Sequence, residues 1–192
     1  MVIKELLGEI HLKIVYFGPG LSGKTTNLEK IHRGIGPAHC SGLTTIKTRE
    51  DRTLFFDFIQ IKIGKIYGLT PKFNIYTVPG QSYYKATRKL VLVGADGIVF
   101  VADSQANRMQ DNIDSFNDLK RYIKEMGKSF ETLSVILQSN KQDLESALKP
   151  EIVQKKLSAN GLPNFPAIAI QGKGVFETLR EIVVRIGKKL ET

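Results

Sequence analysis

The chain has 192 residues, which suits one domain with a proper core and is too short for two of ordinary size. With 42% hydrophobic and 24% charged residues, its composition is typical of a globular protein, and no apolar run reaches the roughly 20 residues that a membrane helix needs. We therefore expect a single domain over residues 1–192. Cys40 is the single cysteine, so an internal disulfide is excluded and a cytoplasmic location is expected.

The net charge of +9 raises the question of nucleic acid or anionic lipid as a partner. The basic residues are scattered, however, and only two short clusters stand out: Lys85 with Arg88 and Lys89, and Lys188 with Lys189. Scattered charge is typical of a solvated surface. We predict that these side chains lie in solvent, that nucleic acid is not a partner, and that membrane contact is weak at most.

Apolar patterns predict strands and helices in alternation along the chain. Strands are predicted at 11–17, 53–63, 72–78, 97–103, 133–140 and 166–172. Helices are predicted at 24–33, 109–126, around 150–158, and at 175–186, where apolar residues recur at three- and four-residue steps. This alternation indicates a three-layer α/β domain with a mostly parallel six-stranded sheet covered on both faces. Turn-forming residues between the second and third strands predict that these two form an antiparallel edge hairpin.

A glycine-rich loop joins the first predicted strand to the first predicted helix. It reads Gly18-Pro19-Gly20-Leu21-Ser22-Gly23-Lys24-Thr25 and is followed by Thr26. This is the G-x-x-x-x-G-K-[ST] pattern of a phosphate-binding loop, or P-loop. Its glycines let backbone N–H groups turn inward onto phosphate oxygens, and the helix N-terminus adds a positive field. We expect Lys24 to reach the β- and γ-phosphates and to assist catalysis, and the Thr25 hydroxyl to ligate Mg²⁺.

A second motif, Asn140-Lys141-Gln142-Asp143, follows an apolar strand, where an open sheet presents residues to ligands. The Asp143 carboxylate can accept hydrogen bonds from the N1–H and the exocyclic amine of guanine. Adenine lacks this pair of donors and would leave the acid unpaired. Together with the P-loop, this motif predicts a binding site for GTP and GDP.

A third motif, Thr77-Val78-Pro79-Gly80-Gln81, ends the second strand of the hairpin. Gly80 is placed so that its N–H can meet the γ-phosphate, and Gln81 so that it can orient the attacking water. GTPases usually have Asp where Thr77 stands, and that carboxylate holds Mg²⁺ through water. If the hairpin turns near Tyr67, Asp57 lies opposite Thr77 and could replace the missing carboxylate; otherwise it is a polar strand residue.

A threonine from the loop before the hairpin is also required, because GTPases use one there to bind Mg²⁺ and the γ-phosphate. Four threonines compete for this role, and their spacing alone does not decide between them. They are Thr44, Thr45, Thr48 and Thr53.

The chain resembles the MglA family, bacterial Ras-like GTPases that set front–rear polarity in motile cells. The segments that carry the resemblance span nearly the whole chain, and the Thr in TVPGQ is itself a family trait. They are FGPGLSGKTTNL (17–28), DRTLFFDF (51–58), YTVPGQ (76–81), RKLVLVGADGIVFVADSQ (88–105), NKQDL (140–144) and GVFETL (174–179).

The resemblance implies a Ras-like fold, GTP hydrolysis, and specific residue roles. It assigns Thr53 as the threonine that binds Mg²⁺ and Arg52 as an arginine finger supplied by the chain itself. It implies a monomer whose activating partner is a Roadblock-fold dimer (MglB), which supplies no arginine but promotes a shift of the hairpin. Family members tend to have APTG before the last helix, where this chain has 169–172; the backbone there, with Gln171, is the expected contact to the guanine oxygen.

Two other functions compete with a slow GTPase switch. One is a binding module that keeps GTP as a structural ligand, which the loss of Asp at Thr77 would favour. The other is an Arf-type membrane-trafficking switch. With Val at position 2 and no prenylation cysteine in the ending GKKLET, we expect no lipid anchor, so the sequence argues against this alternative.

Overall fold

The computed structural model describes residues 2–4, 8–47, 53–62, 64, 68–80 and 85–190, and the side chains of all these except 2–4, 46–47, 53–55 and 85. Within this part, the strands are β1 (Val2–Lys4), β2 (Glu9–Phe17), β3 (Thr44–Lys47), β4 (Thr53–Lys62), β5 (Thr70–Thr77), β6 (Gly97–Asp103), β7 (Ser134–Asn140) and β8 (Asn164–Pro166). The helices are α1 (Lys24–Ile35), α2 (Lys85–Leu92), α3 (Met109–Glu125), α4 (Pro150–Lys156) and α5 (Val175–Leu190), with 3₁₀ turns at Ala106–Arg108 and Ala169–Gln171.

The strands form one mixed sheet in the order β3-β4-β5-β2-β6-β7-β8, with β1 paired antiparallel to the start of β2. The five strands from β5 to β8 run parallel, whereas β3 and β4 are antiparallel to their neighbours. The predicted three-layer α/β class is therefore confirmed. Among the described residues the sheet has eight strands rather than six, and β3, not β4, is its edge.

Helices cover both faces of the sheet because the central strands are apolar on both sides. Every residue of β6 and of β7 is buried, as continuous apolar runs predict. One face packs against α2, α3 and α4, and the other against α1 and α5. The predicted apolar stripe of α3 is confirmed, since Phe116, Leu119 and Ile123 are buried in the first of these cores.

A buried polar network ties the start of α1 to the sheet. The Asn27 side chain exchanges two hydrogen bonds with Gln138 of β7, at 2.9 and 3.0 Å, and also donates to the Gly23 carbonyl. Gln138 donates in turn to Thr178 of α5. Buried amides that are fully hydrogen-bonded rigidify a core, so this network holds the P-loop end of α1 against β7.

The last strand differs from the prediction of a strand at 166–172. β8 ends at Pro166, although the Ala167 N–H still donates to the Ser139 carbonyl of β7 at 2.9 Å. Residues 169–171 then turn into a 3₁₀ helix that ends at Gly172 in the left-handed region (φ 80°). The apolar run that suggested a strand is exposed at Ile170, which is 70% accessible.

Arg88 contradicts the prediction that the basic cluster at 85–89 lies in solvent. Its side chain is 2% exposed and links α2 to α3 by bonds to Ser115 (2.9 Å) and Asp118 (3.2 Å). Its guanidinium also lies 4.4 Å from the centre of the Phe17 ring. A buried charge needs such partners, so a basic cluster alone could not show that one of its members is internal. Lys89, by contrast, is half exposed beside Glu125.

Candidate functional site

Four loops meet at the carboxyl ends of the parallel strands. The P-loop follows β2, the segment from Val78 to Gly80 follows β5, Ser104 follows β6, and Lys141 follows β7. In open α/β sheets this edge is where ligands bind. The structure therefore brings the three predicted motifs to one place.

The P-loop has a backbone path that two of its glycines make possible. Gly18 has φ 148°, and a Cβ there would overlap the carbonyl oxygen of Val101. Gly23 caps α1 with φ 99°, and a Cβ there would overlap the Asn140 side chain. Only glycine fits both positions, which is the requirement for a loop that wraps closely around an anion.

Lys24 points back along the P-loop rather than into solvent. Its ammonium donates to the carbonyls of Gly18 (3.1 Å) and Pro19 (2.6 Å), and the residue is 7% exposed. Burial, together with the charge of Arg88 and against that of Asp57, lowers the pKa of Lys24 to about 7. Without a ligand, burial therefore disfavours the protonated form of Lys24. A bound phosphate would favour the protonated form, because its negative charge offsets that of the ammonium.

Asp57 occupies the position that the hairpin register predicted. Phe58 pairs with Tyr76, so Asp57 lies opposite Thr77, and its N–H donates to the Thr77 hydroxyl at 2.8 Å. The Asp57 carboxylate accepts from two hydroxyls through the same oxygen, Oδ2: from Thr77 at 2.8 Å and from Thr25 at 2.6 Å. The prediction that residues 57 and 77 face each other is confirmed.

The second carboxylate oxygen of Asp57, Oδ1, is buried and has no hydrogen-bond partner in the described part of the chain. Buried polar atoms are nearly always bonded to protein, water or an ion. A carboxylate oxygen of this kind, beside the hydroxyl of Thr25, is the donor set that Mg²⁺ accepts while keeping several of its waters. The residues at this position therefore fit a bound magnesium ion.

The Asn140 side chain joins two loops of the site. Its amide nitrogen donates to the Ser22 carbonyl at 2.8 Å, and its oxygen accepts from the Ala169 N–H at 2.9 Å. Gln142 fixes the following turn by donating to the Ser104 hydroxyl and to the Leu148 carbonyl. Asn140 thus sets the distance between the P-loop and the 3₁₀ turn at 169–171.

Lys141 contacts a residue that the sequence did not single out. It lies in the left-handed region (φ 67°), and its ammonium donates to Asp103 at 2.6 Å. Asp103 has a 1% exposed side chain at the end of β6, where it also accepts from Gln105. Asp103 could have been predicted as a site residue from its position at the carboxyl end of a buried strand, which is the argument used for Asn140.

Asp143 and Gln171 are exposed at the rim of this edge. The Gln171 N–H donates to the Ile168 carbonyl at 2.9 Å, so this amide is already used within the turn. The backbone of residues 169–172, Gln171 included, stays the predicted contact to the guanine oxygen, and Asp143 stays the predicted contact to the base.

The remaining predicted residues lie partly inside and partly outside the described part of the chain. Thr26 lies in the first turn of α1, and Thr44 and Thr45 lie in β3. Thr53 begins β4, but its side chain lies outside the described part, as do Thr48, Arg52 and Gln81 entirely. Gly80 packs against the tip of the P-loop, because a Cβ there would overlap the backbone of Gly20.

The fold and the site together define a P-loop GTPase of the Ras-like type. A model of the ADP-ribosylation factor family matches residues 1–186 of the chain. The chain is 45% identical over 174 residues to the mutual gliding-motility protein MglA of Myxococcus xanthus, covering 91% of this chain and 89% of that protein. It is 27% identical to ADP-ribosylation factor-like protein 4A of Homo sapiens and to that of Mus musculus, over 90% of this chain and 96% of each.

The chain belongs to the ADP-ribosylation factor family and is an MglA-like small GTPase. It binds guanine nucleotide as a molecular switch and hydrolyses GTP. No described helix has the length and apolar character needed to span a membrane.

Nucleotide binding is expected to be coupled to proton uptake by Lys24. With a pKa of about 7, this lysine is mostly neutral at pH 8 before nucleotide binds, and the phosphate charges raise its pKa. Binding of GDP at pH 8 should therefore take up most of one proton, and the uptake should fall as the pH is lowered through 7. Calorimetric titration in buffers of different ionisation enthalpy measures this number directly.

Lys13 provides the matched control for this measurement. Burial also lowers its pKa, but its ammonium donates to the Val93 carbonyl, away from the P-loop. Lys13→Met should leave the proton uptake unchanged. Because the second ionisation of a phosphate lies near pH 6, the nucleotide itself contributes little at pH 8. A binding enthalpy that does not depend on the buffer at pH 8 would contradict the prediction.

Proposed function

We propose that this GTP-binding switch controls cell polarity and motility by binding its effectors in the GTP state and releasing them after hydrolysis. The name of the 45% identical relative, a mutual gliding-motility protein, supports this role. We further propose that it acts in the cytoplasm as a monomer of one domain and concentrates at a cell pole when GTP is bound.

The observation that carries the site assignment is the convergence of three motifs on one edge of the sheet. The proposed phosphate ligands are the backbone of residues 18–23 and the ammonium of Lys24, whose lowered pKa indicates a place prepared for an anion. Asn140, Lys141 and Asp143 read the guanine base, and Thr26 and Gln171 complete the nucleotide-binding set. The bond from Asn140 to the Ser22 carbonyl supports a common ligand for the P-loop and the base-reading motif.

The proposed metal ligands are the hydroxyls of Thr25 and Thr53. Asp57 would take the place of the aspartate that is absent at position 77, and its buried Oδ1 would hold the metal through water. The Thr25 hydroxyl donates its proton to Asp57, which would leave the lone pairs of the threonine oxygen for the metal. When bound, Mg²⁺ would offset charge on the β- and γ-phosphate oxygens.

Hydrolysis is proposed to depend on residues that flank β4 and β5. Gln81 orients the attacking water, and the Arg52 guanidinium offsets the charge that spreads over the transferred phosphoryl group. Gly80 directs its N–H at the γ-phosphate, and its packing against Gly20 supports a position close to the P-loop tip. Lys24 is proposed to stabilise the same charge.

The proposed activating partner is a Roadblock-fold dimer that shifts the hairpin of β4 and β5 and so brings Arg52 and Gln81 into place. Such a partner supplies no arginine, which fits a chain that carries its own. The hairpin is bounded on its outer side by the short edge strand β3. This strand pairs with β4 over a few residues, and the register of the pairing is irregular between Thr45 and Lys47. A weakly specified edge of this kind allows a strand to slide.

Competition binding tests the nucleotide assignment. A fluorescent GDP bound to the purified protein should be displaced by GDP and GTP but not by ADP or ATP. GTP should be hydrolysed slowly, and faster when a Roadblock-fold dimer from the same genome is added. Displacement of the bound GDP by ATP would contradict the guanine assignment. A GTP hydrolysis rate that no Roadblock-fold dimer changes would contradict the partner assignment.

The role as a binding module with a structural GTP loses its main support, because Asp57 lies where the missing aspartate is needed. GTP that survives purification intact would support this role again.

Co-sedimentation with anionic liposomes tests membrane contact, and a fluorescent fusion of the protein tests polar localisation. We expect weak sedimentation and, for a variant locked in the GTP state, a focus at one pole.

A further inference from the structure

Arg108 makes a contact with the P-loop that none of the motifs suggested. It is the last residue of the 3₁₀ turn Ala106–Arg108, directly before α3. Its Nη2 donates to the carbonyl oxygen of Gly20 at 3.0 Å, across 88 residues of chain. The loop after β6 therefore reaches the tip of the P-loop through this one side chain.

The Arg108 guanidinium is held in place from its other side. Nη1 lies 2.9 Å from Asp111, one helical turn further on, and Nε lies 3.9 Å from Asp103. Asp103 is buried and also binds Lys141 at 2.6 Å. The side chain is thus a bridge of defined geometry, 32% exposed, and not a freely moving surface arginine.

The contact has a geometric consequence because a trans peptide is planar. The Gly20 carbonyl and the Leu21 N–H belong to one peptide and point in opposite directions. Because Arg108 holds the carbonyl on its own side of the peptide, the N–H of Leu21 points to the opposite side. Leu21 itself lies in the left-handed region (φ 64°), which is strained for a residue with a side chain and needs support from its surroundings.

The proposed nucleotide site places the terminal phosphates at the P-loop tip. Gly20 packs against Gly80, the residue whose N–H is assigned to the γ-phosphate. An N–H fixed at the tip would therefore meet the β- and γ-phosphates and not the α-phosphate or the base.

We propose that Arg108 is a positioning residue of the phosphate site: by binding the Gly20 carbonyl, it fixes the Gly20–Leu21 peptide so that the Leu21 N–H points at the terminal phosphates. This inference rests on the proposed nucleotide site. It assigns Arg108 no contact with nucleotide, since the residue acts through the peptide that it holds.

The experiment compares Arg108→Ala with the wild type in the full-length protein. We expect the dissociation rate of a fluorescent GDP to rise about tenfold, the effect of removing one charge-assisted hydrogen bond. The affinity for GMP, measured by competition, should stay unchanged, because GMP lacks the terminal phosphates. Arg108→Lys keeps one donor and should restore the rate to within about threefold of the wild type.

Arg121→Ala is the matched control. Arg121 lies on α3, the helix that begins directly after Arg108, and is 51% exposed. Like Arg108, it pairs with an aspartate three residues away (Asp118, 2.6 Å). This variant should leave GDP dissociation unchanged, and its melting temperature should match that of Arg108→Ala. Equal dissociation rates for the two alanine variants, or an equal loss of GDP and GMP affinity in Arg108→Ala, would overturn the inference. A wild type that does not bind GDP would instead refute the proposed nucleotide site.

Discussion

Replacing Arg52 by alanine is expected to lower partner-stimulated GTP hydrolysis by about 10³-fold or more, the range known for arginine fingers in GTPases. The reason is that charge spreads over the γ-phosphoryl oxygens only as the transition state forms, and a guanidinium is proposed to offset it there. GDP and GTP affinities should change little, because the ground state gains less from this contact. Single-turnover hydrolysis with a saturating Roadblock-fold partner measures the effect.

Two further variants separate charge from geometry in the same assay. Arg52→Lys keeps the charge but not the planar pair of donors, so we expect partial activity. Gln81→Ala should abolish stimulation as Arg52→Ala does, since an unoriented water attacks rarely. Normal stimulation of either alanine variant would show that its assigned role is wrong. Both residues lie outside the described part of the chain, Arg52 directly before β4 and Gln81 directly after Gly80.

Replacing Asp57 by threonine is expected to weaken the Mg²⁺-dependent affinity for GDP by about 10- to 100-fold, the usual effect of losing a residue that orients a metal ligand. The carboxylate would be lost from both Thr25 and the proposed water of the metal. The double variant Asp57→Thr/Thr77→Asp returns a carboxylate to the neighbouring strand, opposite its original position. We expect this exchange to restore most of the Mg²⁺ dependence.

The chelator EDTA is the control for the exchange experiment. Without Mg²⁺, the wild type, Asp57→Thr and the double variant should bind GDP with similar affinity, because the carboxylate then has no metal to hold. Threonine is well accepted in strands, so the single variant should fold. If Asp57→Thr bound GDP with full Mg²⁺ dependence, the carboxylate would have no part in the metal site.

The fold was predictable from sequence wherever an element is long and apolar. The central strands and α3 have unbroken or periodic apolar patterns, and the structure confirms them. β1 and β3 were missed because three or four residues, VIK and TTIK, are too few to display a period. The predicted strand at 166–172 failed for a different reason, since the Ala169 N–H donates to the side chain of Asn140 and the backbone turns into a 3₁₀ helix there.

The burial of charged residues was not predictable in the same way. Arg88 sits in a cluster of basic residues, yet its partners on α3 and the Phe17 ring make it internal. Composition near a residue says nothing about a helix packed over it from elsewhere in the chain. Asp103 was missed because it ends a long apolar strand and was counted as part of that strand. Its position at the strand's carboxyl end could have identified it.

By itself, the sequence determined the class of protein and the expected ligands, because the P-loop and the base-reading motif are contiguous segments whose chemistry is local. Only the tertiary structure decided which side chains meet between segments: Asp57 with Thr25 and Thr77, and Arg108 with Gly20. These contacts join residues 20 to 88 positions apart. Their partners are set by strand register and by the packing of α3 against the sheet, which no local pattern encodes.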